Sequence, residues 1–266
     1  MSSTSSIVLR DLEIHAVDRH IIRGAGLTLK PGQITVLVGA SGSGKSLTAK
    51  SILGIVPVVP GVTSAALEIT GRDGVTHRPY ENLPRTRKVE KAFERVRGSV
   101  VGYLPQDARG SLDPLQRIGR QVEGALALCG SDESPESCLA RAGFPNPTEV
   151  ATLFPHELSG GMAQRAGIAM LLARGSEFAI ADEPTTGLDP TVQEGILAEM
   201  ERLRDAGVGI LFITHDLRIV PRLADELLIM HDGEIVERGV NSFEELTSPA
   251  AKALWSATAR ISGGTL

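Results

Sequence analysis

Residues Gly39-Ala40-Ser41-Gly42-Ser43-Gly44-Lys45-Ser46 set three glycines ahead of a lysine and a hydroxyl. The glycines let successive backbone N–H groups curl around an anion, and Lys45 adds a cation that can reach the outer phosphates of a nucleotide. The Ser46 hydroxyl is placed to ligate Mg²⁺. Phe178-Ala179-Ile180-Ala181 is a short apolar run ending in two adjacent acids, Asp182 and Glu183. A buried strand that delivers carboxylates at its C-terminal end can hold a metal ion and a water. Leu158-Ser159-Gly160-Gly161-Met162 opens a helical run. A serine followed by two glycines leaves N–H groups uncovered there, which suits a second anion. Alone, the last two features are an ordinary strand end and an ordinary helix start. Together with the glycine loop they are a constellation.

The elements that must position these residues follow from periodicity. Ile34–Val38 is an apolar strand ahead of the loop, and Lys45–Leu53 is a helical run behind it. Strand, glycine loop and helix are the context that makes the loop a phosphate cradle. Val100–Leu104 is a second buried strand, leading into Pro105-Gln106-Asp107, and Gly209–Thr214 is a third, with His215 just past its end. The core is therefore α/β, with a mainly parallel sheet. Ile7–Ile14 and Ile21–Leu29 alternate apolar and polar residues and read as antiparallel strands turning near Asp18. Pro57, Pro60 and Gly61 break the chain after the first helix, leaving Ala66–Ile69 as an edge strand. Thr76–Glu94, with four basic residues between Arg85 and Lys91, reads as a solvated loop or helix face. Helical spacing returns over Gln116–Gly143, interrupted near Gly130–Pro135, and over Gln193–Arg204. Leu227–Met230 and Glu234–Glu237 read as a closing hairpin around Asp232-Gly233. The tail from Phe243 reads as a helix or two with a ragged end.

Composition excludes several classes. The chain has 266 residues, 42% of them hydrophobic, and a formal charge of −5, which argues against a nucleic-acid partner. No apolar run approaches the ~20 residues of a membrane span. The polar start, Met1 to Ser6, lacks the apolar core of a signal peptide and is expected to be loose, in the cytoplasm. Cys129 and Cys138, without histidines nearby, read as two free thiols.

Gly39–Ser46, Leu158–Met162, Asp182-Glu183 and His215 occur in the order seen in ATP-binding cassette (ABC) ATPases, and the chain resembles that family from about Ile7 to Gly239. The resemblance implies one P-loop NTPase domain over residues 1–266: a mainly parallel core sheet, an antiparallel β lobe, and a helical signature lobe at about 116–173. It implies ATP and Mg²⁺ as cofactors. ATP would be held by Gly39, Ala40, Ser41, Gly42, Ser43, Gly44, Lys45, Ser46 and Leu47. Mg²⁺ would be shared by Ser46, Gln106 and Asp182. Glu183 would polarise the attacking water and His215 would contact the γ-phosphate, with Gln106 beside them. Ser159, Gly160, Gly161 and Asp189 would serve the nucleotide site of a partner in a head-to-tail dimer.

Gln106–Gly119 (QDARGSLDPLQRIG) and Phe154–Met162 (FPHELSGGM) resemble the peptide and nickel importer branch. Gly42–Pro57 and the short tail without clustered cysteines look like its nickel and metallophore members. The implied function is the ATPase subunit of a bacterial importer for nickel, a metal–chelator complex or short peptides. It would lie at the cytoplasmic face of the membrane as a peripheral protein. Its partners would be two permease subunits, a second and paralogous ATPase and, indirectly, an extracytoplasmic solute-binding protein. An exporter ATPase and a DNA-repair or ribosome-associated ABC ATPase are the rival readings. The latter usually carry a long coiled-coil insertion or a second cassette, neither of which is seen here. A P-loop kinase has no use for LSGGM. One departure stands out. The family stacks an aromatic residue on adenine, at a place that falls near Ala16, yet no Phe, Trp or Tyr occurs before Tyr80. His15 and His20 are the rings that remain, so base recognition is expected to be loose.

Overall fold

The computed structural model describes residues 5–81, 83, 87–239 and 246–261. The strands are β1 Ser6–Ala16, β2 Arg19–Leu29, β3 Ile34–Val38, β4 Pro60–Thr70, β5 Thr76–His77, β6 Val101–Leu104, β7 Phe178–Asp182, β8 Gly209–Thr214, β9 Glu226–His231 and β10 Glu234–Arg238. The helices are α1 Lys45–Ile52, α2 Arg87–Glu94, α3 Ile118–Cys129, α4 Pro135–Arg141, α5 Pro147–Thr152, α6 Gly160–Arg174, α7 Pro190–Asp205, α8 Val220–Leu223 and α9 Pro249–Ile261.

Six strands form the central sheet in the order β10-β9-β3-β8-β7-β6. All neighbours in it run parallel except the β9–β10 hairpin. Strands buried on both faces read as continuous apolar runs rather than alternating ones, and the period of two then sorts their side chains between two cores. Val36, Ile210, Phe212, Ala181 and Ile229 face a cluster shared with α3, α6 and α7. Leu37, Leu211, Ile213, Ile180 and Leu228 face a cluster shared with α1 and the antiparallel sheet β2-β1-β4-β5. The ends of β3, β6, β7 and β8 thus emerge on one edge of the parallel sheet, where α/β folds carry their ligands.

Three expectations change. Ser5 and Ser6 are part of the structure rather than a loose start: Ser6 opens β1, and Ser5 Oγ donates to Glu177 at 2.8 Å. Residues 1–4 lie outside the described residues. The edge strand expected at 66–69 is an eleven-residue strand flanked on both sides. It pairs with β1 from Thr70 to Pro60, because proline and glycine at its first two positions are compatible with the start of a strand. The basic segment is not wholly solvated either. In α2, Val89 and Phe93 stand four residues apart and are buried, so one helical face enters the second core while Lys88, Lys91 and Glu94 stay exposed. Arg85 and Phe243 lie outside the described residues. Cys129 is exposed, Cys138 is buried, and both are free. Among the described residues no helix is long and apolar enough to cross a membrane.

Candidate active site

The loop between β3 and α1 is built by close approach. A side chain at Gly39 would meet the Met230 carbonyl oxygen at 2.3 Å, so the loop lies directly against β9. Gly44 caps α1 with φ of 108°, in the region glycine tolerates best. Lys45 is 5% exposed, and its Nζ donates to the carbonyls of Gly39 at 2.8 Å and Ala40 at 3.1 Å. Burial lowers its pKa, while the charges of Glu183 and Asp182 act in the opposite sense. Ser43 Oγ is buried without a hydrogen-bond partner. A buried hydroxyl rarely stays unpaired, and Ser43 stands two residues before Lys45 and directly before the N-cap of α1. That arrangement suits a phosphate oxygen. Leu47 lies in the first turn of α1, half-buried, beside the same loop.

The acids arrive from β7. Asp182 is 3% exposed and accepts from Ser46 Oγ at 2.8 Å on one oxygen and from Tyr103 Oη at 3.0 Å on the other. Burial, followed by the negative charge of Asp182, pushes the Tyr103 phenol well above its usual range, so it remains a donor. Serine hydroxyl and carboxylate form an all-oxygen donor set that fits a hard divalent cation. Among the described residues no three His, Cys, Asp or Glu gather into a metal cage. Mg²⁺ in particular takes one or two carboxylates and completes its shell with phosphates and water.

Glu183 has φ of 50°, uncommon for a residue with a side chain. Its Oε2 gathers Thr186 Oγ1 at 3.0 Å, His215 Nδ1 at 3.2 Å and Gln106 Nε2 at 3.4 Å. Residues from β6, β7 and β8 thus converge on one carboxylate. Gln106 reaches Glu183 rather than Asp182, and the Gln106 carbonyl accepts from Gln164 Nε2 at 3.0 Å. Among the described residues no hydrogen bond joins Glu183 to residues 39–46.

Ser159, Gly160 and Gly161 lie elsewhere. Ser159 caps α6, its Oγ accepting from Met162 N at 3.2 Å. Asp189 caps α7, accepting from the backbone of Thr191 and Val192 at 3.1 Å each. Among the described residues none of the four makes a hydrogen bond to residues 39–46. Tyr103, Thr186 and Gln164 were not singled out in the sequence. Tyr103 carried a signal, as a polar tip inside an apolar strand beside Gln106.

Two rings meet at the first hairpin. His15 and His20 face each other across β1 and β2, stacked with centroids 4.1 Å apart at 10°. His15 Nδ1 lies 2.9 Å from Thr63 Oγ1, and His20 Nε2 pairs with Glu13.

A match to the ABC transporter family covers residues 22–186. The chain is 38% identical over 226 residues to the oligopeptide transport ATP-binding protein OppD of Bacillus subtilis, spanning 82% of this chain and 60% of that protein. It is 41% identical over 220 residues to the peptidoglycan transport ATP-binding protein YejF of Agrobacterium fabrum, spanning 79% of this chain and 38% of that one. The chain thus spans under two thirds of the length of these relatives. A solved ATP-binding subunit of an ABC transporter superposes with a TM-score of 0.72 at 22% identity, covering 95% of this chain and 99% of that one.

Proposed function

The chain belongs to the ABC transporter family of ATP-binding proteins, and from that premise we propose that it is the ATP-hydrolysing subunit of a bacterial importer of short peptides. The observation that carries the reading is the convergence of loop 39–46, Asp182, Glu183, Gln106 and His215 at the ends of neighbouring strands. The glycine loop, Lys45 and Leu47 hold ATP. Ser46 and Asp182 hold Mg²⁺, with Gln106 completing its surroundings, and the ion when bound neutralises charge on the phosphates. Glu183 orients and polarises water, His215 contacts the terminal phosphate, and Gln106 positions the water beside them.

Ser159 caps α6 ahead of Gly160 and Gly161, and Asp189 caps α7; helix N-termini of this kind suit the phosphates held by the loop of a second, paralogous ATPase in a head-to-tail pair. The chain lies peripherally at the cytoplasmic face of the membrane on two transmembrane permease subunits, and an extracytoplasmic solute-binding protein completes the assembly. The domain is taken to span residues 1–266, with the helical lobe at about 116–173. Peptide is preferred as the solute because the relatives bear oligopeptide and peptidoglycan names. Nickel or a metal–chelator complex rests on likeness in the segment at 42–57.

The test is purification of the assembly through a tag on this chain, reconstitution in vesicles with its binding protein, and uptake measured with labelled peptides and with nickel. ATP-dependent peptide uptake is expected. ATP-dependent nickel uptake without peptide uptake would overturn the solute. Copurification with nucleic acid and no permease would overturn transport.

A further inference from the structure

Both oxygens of Asp182 are engaged, and the two donors come from different elements: Ser46 from the start of α1 and Tyr103 from the adjacent strand β6. Resting on the nucleotide and Mg²⁺ reading above, we infer that Tyr103 is a positioning residue for the metal site, its phenol fixing the plane of Asp182 so that the opposite oxygen is presented to Ser46 and the incoming cation.

Strand register explains why a tyrosine can do this. Tyr103 pairs with Ile180 in the parallel β6–β7 ladder, two residues before Asp182. Side chains two residues apart point to the same face, and the rise per residue is about 3.3 Å. Asp182 therefore stands about 6.6 Å ahead of Ile180 on the face that Tyr103 shares. A side chain from position 103 must lean forward along the strand by that distance and end in a donor. Serine or threonine is too short, and phenylalanine lacks the donor. The ring packs against the second core, whose members include Ile180 and Ile213, so its direction is set by packing before the hydroxyl is considered.

Asp182 is 3% exposed, so water has little access to the oxygen that faces Tyr103. Among the described residues Ser46 and Tyr103 are its only side-chain donors, and Asp182 is the only side-chain partner of the phenol. Ser46 can offer its oxygen to the cation and still donate its proton to Asp182, so it holds one carboxylate oxygen from the start of α1 while Tyr103 holds the other from β6. Without Tyr103 the carboxylate keeps Ser46 as its one side-chain donor among the described residues and loses the second constraint on rotation about its last bond. Groups that hold a metal's ligand in place typically contribute about 10–100-fold to metal affinity. Space filling alone is the competing account, and it needs only the ring.

The test compares the whole chain with Y103F, which keeps the ring and deletes the donor. ADP binding is measured by calorimetry in EDTA, and Mn²⁺ binding to the ADP-saturated chain by electron paramagnetic resonance. Y103F is expected to bind ADP within about twofold of wild type in EDTA and Mn²⁺ about tenfold more weakly or worse. Equal Mn²⁺ affinity overturns the inference. So does a loss of ADP binding in EDTA as large as the loss of Mn²⁺, since that marks a packing defect. Wild type that binds ADP and Mn²⁺ alongside an indistinguishable Y103F removes the role of Tyr103 alone. Wild type that binds no ADP overturns the nucleotide reading and this inference with it.

Discussion

Lys45 is the one cation among residues 39–46, and its ammonium is turned back on the carbonyls of Gly39 and Ala40. Those acceptors hold it in the loop until phosphates, with several negative charges, compete for it. Lys45→Ala is expected to weaken nucleotide binding by at least about a hundredfold, or about 2.7 kcal/mol, measured by calorimetry. Wild-type affinity in this variant would mean that backbone N–H groups alone hold the phosphates. Base recognition is a second question at this scale. His15 and His20 each give one face to the other, so only an outer face is left to a purine. An imidazole is also a smaller platform than the missing aromatic ring, and a stacking contact is worth about 1–3 kcal/mol. ATP and GTP are therefore expected to compete within about a hundredfold, about 2.7 kcal/mol, in a displacement assay. A larger preference would reveal a polar group reading the base edge.

At the scale of elements, the signature helix α6 lies hard against α7. A side chain on Gly161 would meet Val192 Cγ1 at 2.1 Å, so this glycine is a packing requirement whatever its proposed part in anion binding. Gly161→Ala is expected to destabilise the chain by about 1–3 kcal/mol, the usual result of overpacking. Shortening Val192 to alanine in the same chain should recover most of that loss. Denaturant unfolding of both single variants and the double variant gives the coupling energy. Additive losses would mean that α6 and α7 yield without strain. This contact was invisible in the sequence, because it depends on how two helices dock. The glycine loop was legible because its chemistry is local, carried by eight consecutive residues between a strand and a helix. The strand ends bearing Asp182 and His215 were legible too, since buried parallel strands are continuous apolar runs. Tyr103, Thr186 and Gln164 were missed because their partners sit 79, 3 and 58 positions away, and for the two distant ones only strand order and helix docking supply the partner. For β4, Pro60 and Gly61 read as a break when they are the first residues of a strand. The Val89/Phe93 pair of α2 was present in the sequence at helical spacing, but surrounding charges hid it.

At the scale of the whole molecule, residues 39–46 and the Ser159–Gly161 segment belong to one chain and share no hydrogen bond among the described residues. In the proposed head-to-tail pair each is half of a site. If the proposed pairing with a paralogous ATPase is right, hydrolysis is what parts the two chains, and blocking it should leave them together. Glu183→Gln tests this. The amide keeps the size of the carboxylate but removes the charge that, in the proposed mechanism, polarises water, and general-base assistance of this kind is worth about 10²–10⁴-fold. Oε2 accepts from Thr186, His215 and Gln106, and the amide oxygen can still accept in its place, so the local geometry should survive. ATP affinity is expected within about threefold of wild type, and phosphate release at least about a hundredfold lower, a barrier higher by about 2.7 kcal/mol. With ATP and the partner ATPase present, sizing should show a persistent two-chain species that wild type does not accumulate. The bland alternative is that Glu183 only tethers Thr186 and His215 in the turn after β7, and then the amide would serve almost as well. Phosphate release within about threefold of wild type, a change under about 1 kcal/mol, would take Glu183 out of the chemistry and leave His215 as the residue to examine.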